Sequence, residues 1–231
     1  MNSKNIIDGQ KYPAEDLIPL VHKYQNTCWK KPIGLPTQKS WERLKQKNNF
    51  QDKSVILDSG IGVGLSSILL AAQNPHKIVL AHDRSQERLQ THAVHRHRWE
   101  KQNYTLENLF VIRADSEDLW RILVKEKLKI SEHFILYPNP YPKTTQLRKR
   151  WHAHPVFPIL CLLGDTLELR SNWKLYLEEF SMAYAVLYPQ AQRTLGLISE
   201  PLEVQTHFER KYHKSKHPLW RLKLLKKPKK P

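Results

Sequence analysis

Glycine occupies every second position in a short segment that follows an apolar run, and this pattern restricts the possible folds more than any other feature. The segment reads Val55-Ile56-Leu57-Asp58-Ser59-Gly60-Ile61-Gly62-Val63-Gly64, and Leu65–Ala72 continues it with helical spacing. A strand, a glycine-rich turn and a helix in this order form a cradle in which the backbone approaches a ligand closely. The same glycine spacing also occurs in tight turns that bind no ligand, so the neighbouring segments determine whether this turn is a ligand site or only a connection.

Two further predicted strands end in a carboxylate. Lys77–Asp83 ends 25 residues after Asp58, and Leu109–Asp115 forms the next strand. Because ligands of α/β proteins bind at the carboxyl edge of a parallel sheet, we expect the three carboxylates to lie in one ligand site. The sequence therefore predicts a Rossmann-like α/β fold with a mostly parallel central sheet and helices on both faces. The spacing G-x-G-x-G, rather than G-x-G-x-x-G, favours S-adenosylmethionine (SAM) over NAD.

The composition is unusual in its large excess of basic over acidic residues. The chain has 38 Lys and Arg against 22 Asp and Glu, a net charge of +16 and a pI near 9.8. A polyphosphate partner explains such an excess, and a solubilising surface is the alternative. The two cysteines, Cys28 and Cys161, fit no metal-ligand spacing, so we expect no metal and a reducing, cytoplasmic compartment.

The chain divides into three predicted parts: a basic N-terminal extension (1–50), irregular or helical and interrupted by prolines, an α/β domain (51–225), and a disordered basic tail (226–231). No apolar stretch approaches the ~20 residues that cross a bilayer, so no membrane partner is expected. Periodicity predicts the remaining elements of the domain. These are helices at Leu65–Gln73, Ser85–Trp99, Glu117–Lys127 and Trp173–Leu187, and strands at His133–Tyr137, Leu167–Arg170 and Pro218–Leu225.

A proline-rich segment, Tyr137–Lys143, follows the fourth predicted strand. Its prolines fix φ and hold Asn139 just beyond the sheet edge, where a methyl donor would point. A stiff connection without chemistry is the alternative. Downstream, Arg148-Lys149-Arg150 forms a cationic group suited to phosphates, or else a solvated helix start.

Several of these motifs, in this order, resemble the tRNA (guanine-N7-)-methyltransferases. The glycine turn resembles the family's L-E-I-G-x-G-x-G, and Tyr137–Lys143 resembles F-P-D-P-W-P-K. Arg148-Lys149-Arg150 is similar to the following K-R-R, Ser171-Asn172-Trp173 to T-D-W, and Thr206–Arg210 to T-x-F-E-R. The resemblance covers roughly residues 53–225.

This resemblance implies a class I SAM-dependent methyltransferase acting on N7 of a guanine in tRNA, as a monomer or homodimer. It implies SAM binding by Asp58, Gly60, Gly62, Gly64, Asp83, Asp115 and Asn139, with Asn139 also catalytic. It implies substrate binding by Lys143, Arg148, Lys149, Arg150, Asn172, Thr206 and Glu209.

The chain departs from the family at two positions that would bind guanine. Asn139 and Asn172 stand where the family has Asp, and a neutral amide forms weaker hydrogen bonds than a carboxylate. Asn139 also suits a methyltransferase that acts on another base or on an exocyclic amine. In the second case the Asn139 carbonyl would accept a hydrogen bond from the NH₂ group of the amine. A non-catalytic protein that binds SAM or RNA is the third alternative. Asn172 could instead cap the next helix, and Thr206 with Glu209 has the spacing of a capping box.

Overall fold

A mostly parallel β-sheet forms the centre of the computed structural model, which describes residues 9–50, 53–199 and 206–226. Its strands are Val55–Ser59 (β1), Ile78–Asp83 (β2), Leu109–Arg113 (β3), Ile130–Leu136 (β4), Thr166–Ser171 (β5), Gln192–Leu197 (β6) and Trp220–Leu225 (β7). Among the described residues the strand order is β3-β2-β1-β4-β5-β7-β6. Strand β7 runs antiparallel to β5 and β6, and the other pairs are parallel. The predicted Rossmann-like fold is confirmed.

Helices surround this sheet. They are Leu17–Gln25 (α1), Leu35–Lys47 (α2), Leu65–Gln73 (α3), Gln86–Gln102 (α4), Ser116–Lys125 (α5), Phe157–Leu160 (α6), Lys174–Leu187 (α7) and His207–Lys214 (α8). Two short 3₁₀ segments, Thr144–Lys149 and Trp151–Ala153, follow the proline-rich segment. The helices predicted within the α/β domain are confirmed to within a few residues at each end.

Alternating residues of the central strands enter two separate hydrophobic cores. Leu57 and Leu80 pack into the larger core, whereas Ile56 and Val79 pack into the smaller one with α3. Because successive side chains of a strand point to opposite faces, both faces of the sheet are covered. The near-continuous apolar runs of these strands follow from burial on both sides.

The N-terminal segment contributes to the larger core. Leu17 and Val21 of α1 and Trp41 of α2 are fully buried there. Helix α1 contacts α7, and α2 contacts α5. The helical alternative for this segment is therefore confirmed, while the domain boundary at residue 50 stays a prediction. The predicted disordered tail covers residues 226–231, and the prediction is wrong for Lys226, whose backbone N–H donates to the Asp165 carbonyl and whose ammonium donates to the Leu162 carbonyl, both at 3.0 Å. Residues 227–231 lie outside the described residues. Within the described part of the chain, no helix has the length and apolarity needed to cross a membrane.

Candidate active site

A cavity of about 500 Å³ opens at the carboxyl ends of the central strands. It is lined by many of the predicted site residues, namely Asp58, Gly60, Gly62, Gly64, Asp83, Asp115, Asn139, Lys149, Asn172 and Thr206. Four other predicted residues, Lys143, Arg148, Arg150 and Glu209, do not line it. The cavity therefore brings the cofactor residues together, and the predicted substrate residues only in part.

The glycine turn forms one wall of this cavity. Gly62 has a φ of +58°, and a Cβ added to it would meet no atom within 4 Å. Gly64 has a φ of +73°, and a Cβ there would lie 2.0 Å from the His92 ring. The absence of a side chain at Gly62 thus leaves its backbone facing open space, and the absence of a side chain at Gly64 lets His92 of α4 pack against the turn.

Asp83 ties the glycine turn to the second strand. One carboxylate oxygen accepts a hydrogen bond from the backbone N–H of Gly62, and the other accepts from Ser85, both at 2.8 Å. The side chain is almost fully buried and lies 3.8 Å from the guanidinium of Arg88. Asp83 therefore holds the glycine turn in place in addition to lining the cavity, and the sequence pattern did not indicate this structural role.

Asp58 lies at the buried end of the same wall. Its carboxylate accepts a hydrogen bond from Ser66 Oγ at 2.7 Å. Burial raises the pKa of Asp58 to about 7, although the Ser66 hydrogen bond lowers it. A cationic ligand group would stabilise the ionised carboxylate, because an opposite charge nearby favours the charged form.

Asp115 precedes α5 and is more exposed than the other two carboxylates. Partial burial, followed by the charges of Glu117 and Asp118, raises the pKa of Asp115. Its backbone N–H donates to Thr37 Oγ1 of α2 at 3.1 Å. The N-terminal segment thus helps to place this residue, a contact between distant positions that the sequence could not show.

Ser59, which stands where the resembled family has isoleucine, joins a buried polar cluster beneath the cavity. Its Oγ lies 3.0 Å from His82 Nε2, 2.8 Å from His133 Nε2 and 3.0 Å from Trp120 Nε1, which donates to it. Burial lowers the pKa of His82 to about 4 and that of His133 to about 3, so both rings are neutral near pH 7. An isoleucine here would leave the Trp120 N–H without its acceptor.

The proline-rich segment (Tyr137–Lys143) forms the opposite wall in a strained conformation. Tyr137 and Tyr141 have φ angles of +53° and +44°. Such angles destabilise a residue with a bulky side chain by about 1–3 kcal/mol, so the surrounding structure has to hold them. Two buried charged clusters contact this segment, one at each end.

The first cluster holds the beginning of the segment. The Tyr137 hydroxyl donates to Glu209 Oε1 at 2.9 Å, and Arg170 Nη1 donates to the same oxygen at 2.9 Å. Burial and then the charge of Glu209 raise the pKa of Tyr137, so the phenol keeps the proton that it donates. Glu209 is fully buried in this cluster. Its predicted substrate contact is therefore wrong for the site as folded, because its carboxylate binds the protein itself.

The second cluster holds the end of the segment and corrects the prediction for Arg150. This guanidinium is fully buried, and it donates to the carbonyls of Tyr141 at 3.1 Å and Lys143 at 3.2 Å. It also pairs with Glu179, which accepts from His152 at 3.0 Å. Arg150 therefore cannot contact phosphates. Arg148 and Lys149 remain exposed, and the Lys149 ammonium lies 5.8 Å from the Tyr141 ring.

The remaining predicted substrate residues differ in whether they line the cavity and in what their side chains contact. The Lys143 side chain is exposed outside the cavity. Thr206 Oγ1 accepts from the backbone N–H of Glu209 at 2.9 Å, so Thr206 caps α8 as the alternative predicted. The cap alternative for Asn172 is wrong, because Trp173 is the N-cap residue of α7 and Ser171 Oγ accepts from its N–H.

Asn139 and Asn172 both line the cavity, and each has one defined hydrogen bond. Asn139 Oδ1 accepts from the backbone N–H of Tyr141 at 3.3 Å within its own turn. Asn172 Nδ2 and His217 Nδ1 lie 3.2 Å apart and form a hydrogen bond.

Helix α8 adds an aromatic wall that sequence reasoning did not assign to the site. Phe208 and Tyr212 line the cavity, with ring centroids 6.3 Å apart, and Tyr212 stacks on His217 at 5.4 Å. Phe208 is 47% exposed. The i, i+4 spacing of the two aromatics was the signal available in the sequence.

The sequence from residue 52 to residue 222 matches a family model described as "Putative methyltransferase". This match spans more than half of the chain, including the glycine turn, the proline-rich segment and Asn172. The chain belongs to this methyltransferase family. No curated protein matches the sequence.

Solved methyltransferase structures share the fold. The 16S rRNA methyltransferase KamB has a TM-score of 0.55 and 18% identity over 86% of this chain and 97% of its own. The aminoglycoside resistance methyltransferase NpmB1 has a TM-score of 0.55 and 16% identity over 87% and 97%. A 16S rRNA (adenine(1408)-N(1))-methyltransferase variant from Catenulisporales acidiphilia, with cosubstrate SAM, has a TM-score of 0.52 and 15% identity over 87% and 96%.

The prediction of SAM as the cofactor is confirmed at the level of the family and the fold. The cavity fits such a molecule, because the open face at Gly62 and the carboxylates of Asp58 and Asp83 provide an approachable backbone and acceptors for polar groups. Within the described residues, no group of three or more His, Cys, Asp or Glu side chains is placed to hold a metal ion.

Proposed function

We propose that this methyltransferase transfers the methyl group of SAM to N7 of a guanine in tRNA. One observation carries the proposal: a single cavity joins the glycine turn and its carboxylates to a wall of aromatic and amide side chains. The first side suits the methyl donor, and the second suits a planar base with polar edges.

Each side has separate tasks in this reaction. On the donor side, we assign SAM binding to Gly60, Gly62, Gly64 and the carboxylates of Asp58, Asp83 and Asp115. On the acceptor side, Tyr212 and Phe208 would stack on the base, while Asn139 and Asn172 would contact its edge. SAM supplies an electrophilic methyl group on a sulfonium.

Methylation at N7 requires little acid–base chemistry from the protein. Guanine N7 has a lone pair and no proton, so no general base is needed. The site has to align N7 with the methyl carbon and exclude water. Rigid walls serve this purpose, and the two clusters around Glu209 and Arg150 fix the acceptor wall from both ends.

An RNA partner is supported by the charge around the cavity mouth. Arg84, Arg88 and Lys149 line the cavity and are exposed. Helix α8 adds further exposed cations, Arg210, Lys211 and Lys214, beside the exposed ring of Phe208. Cations bind phosphates and exposed rings stack on bases, which suits a folded RNA whose target base enters the cavity. Proteins of this fold, such as KamB, are described as rRNA methyltransferases.

The exocyclic-amine alternative receives less support from the geometry. It requires the Asn139 carbonyl to accept from the target NH₂ with its second lone pair, because this oxygen already accepts from the Tyr141 N–H within its own turn. The two chemistries differ in how strongly they depend on Asn139. We expect Asn139→Ala to lower kcat about tenfold for N7 transfer, since it removes one neutral hydrogen bond of the segment. For an amine acceptor the loss would be roughly a hundredfold or more, because the group that holds the nucleophile is gone.

The proposal is tested by incubating the protein with methyl-labelled SAM and an unmodified tRNA transcript. Nucleosides from the digested RNA are then identified by mass spectrometry, with Asn139→Ala measured in parallel and Asn26→Ala as a surface control. We expect 7-methylguanosine. An N6-methyladenosine or other amine product would support the second candidate. SAM or RNA binding without any product would indicate a non-catalytic binding protein.

A further inference from the structure

Asp115 differs from the other two carboxylates of the donor side in what its side chain contacts. The carboxylate of Asp83 accepts from two backbone N–H groups, and that of Asp58 accepts from Ser66 Oγ. Within the described part of the chain, no hydrogen bond reaches the carboxylate of Asp115, although this residue lines the cavity. Asp115 therefore keeps the full acceptor capacity of its carboxylate for a ligand.

A local partner for this carboxylate exists and is not used. Asp115 is the N-cap residue of α5. An Asp side chain at this position ordinarily accepts from a backbone N–H of the first helical turn, which stabilises the helix. The Asp115 carboxylate makes no such bond. The helix cap thus competes with a ligand for the same side chain, and the placement of the Asp115 backbone bears on which of the two is favoured.

This backbone is held by Thr37 of α2. Strands β2 and β3 stay paired as far as Asp83 and Arg113, and the N–H of Ala114 still donates to the Asp83 carbonyl at 3.2 Å. Asp115 is the next residue, and its N–H leaves the sheet and donates to Thr37 Oγ1 at 3.1 Å. Since Thr37 is only 2% exposed, water competes little for this bond.

Thr37 is fixed in turn against the beginning of α5. Gly34, the N-cap residue of α2, donates its N–H to Asp118 Oδ2 at 2.9 Å. A Cβ on Gly34 would lie 3.0 Å from that oxygen, so the close approach favours a glycine. Three residues earlier, the Lys31 ammonium pairs with Glu117 at 3.2 Å. The start of α2 is therefore attached to neighbouring positions around the start of α5.

We infer that Thr37 is a positioning residue for the cofactor: it fixes the backbone of Asp115, so that the carboxylate stays open to a donor group of SAM instead of capping α5. Asp115 contacts the cofactor, and Thr37 acts through it. The inference rests on the assignment of SAM binding to Asp115 under the proposed function, and it does not depend on which base is methylated. It makes α2 part of the donor side of the cavity.

Calorimetric titration of the full chain with SAM tests the inference without any RNA. Thr37→Val keeps the shape of the side chain and removes the hydroxyl. We expect the dissociation constant to rise about tenfold, because Asp115 then loses its charge-assisted hydrogen bond to SAM. Thr37→Ser keeps the acceptor and should bind SAM within about threefold of the wild-type protein. Thr27→Val, at an exposed threonine that precedes α2, should leave the constant unchanged.

A double-mutant cycle separates positioning from a general loosening of α2. Asp115→Ala should weaken SAM binding about tenfold or more. If Thr37 acts through Asp115, adding Thr37→Val to Asp115→Ala should change the constant by less than about twofold. A loosened α2 would instead weaken SAM binding by the same factor in both backgrounds. Thr37→Ala, which introduces no new group at this buried position, is measured alongside with the same expectations.

The outcomes distinguish this inference from the function on which it rests. Wild-type affinity in Thr37→Val and Thr37→Ala would overturn the inference, and so would a loss of equal size in the Asp115→Ala background. Binding by Thr37→Ser as weak as by Thr37→Val would also overturn it. Wild-type affinity in Asp115→Ala would remove Asp115 from the cofactor site, and the inference with it. The expected pattern in a protein that methylates no guanine would support the inference and overturn only the proposed reaction.

Discussion

The two sides of the cavity use charge in opposite ways. On the donor side, the carboxylates of Asp58 and Asp83 line the cavity and also bind neighbouring protein groups. On the acceptor side, the charged groups of Arg150 and Glu209 lie outside the cavity and hold the proline-rich segment. Apart from the exposed ammonium of Lys149, the groups left to face a base there are neutral amides and aromatic rings. The comparison shows that charge on the acceptor side shapes the wall, while charge on the donor side also remains available to a ligand.

The largest expected effect concerns the charges that shape the acceptor wall. Arg150→Met should destabilise the protein by about 3–5 kcal/mol, because it leaves Glu179 buried without its cation. It also removes the donors to the carbonyls of Tyr141 and Lys143. Urea denaturation measures the change, and Arg148→Met is the exposed neighbour for comparison. Equal stability of the two variants would contradict the structural role of Arg150.

The next effect concerns the donor side. Asp83→Ala should weaken SAM binding about tenfold to a hundredfold, because a charge-assisted hydrogen bond contributes about 1.5–3 kcal/mol. The variant also leaves the N–H groups of Gly62 and Ser85 without their acceptor. Calorimetry gives the dissociation constant, and Asp165→Ala serves as a control away from the cavity. An unchanged constant would remove Asp83 from the cofactor site.

Much of the donor side was predictable from the sequence, because it is local in the chain. The glycine turn and the strand-ending carboxylates follow from apolar runs and turn residues within a few positions of each other. Strand β6 was missed because its residues are mostly exposed at the sheet edge and show no alternation. The acceptor side depends on distant partners. Arg150 meets Gln10 and Glu179, and Glu209 meets Tyr137, so no local pattern could show that these charges are buried.

A smaller effect tests whether the Asp58 charge is available to a ligand. Its pKa of about 7 means that the carboxyl is mostly protonated in weak acid and ionised above neutrality. If the ionised form binds the cationic part of SAM, affinity should rise roughly tenfold from about pH 5.5 to about pH 7. Asp58→Asn should abolish that rise. A similar pH profile in both proteins would show that another group titrates.

The smallest effect concerns the exposed cations of the acceptor side. Arg148→Gln with Lys149→Gln should weaken tRNA binding severalfold and reduce the dependence of log affinity on log salt, by ~0.9 for each phosphate that the variant no longer neutralises. SAM affinity and stability should stay unchanged, since both side chains are exposed. A salt dependence equal to that of the wild-type protein would place the phosphate contacts elsewhere, with α8 as the next surface to test.

Cleavage of the RNA chain at 7-methylguanosine shows directly whether the acceptor side of the cavity positions guanine N7 for methyl transfer. A tRNA transcript methylated by the protein is reduced with borohydride and treated with aniline, which cuts the chain at 7-methylguanosine. The account predicts a cut at a guanosine, with the label from SAM in the same nucleoside. Label incorporated into RNA without any cut, in an adenosine or in an exocyclic amine, would contradict it.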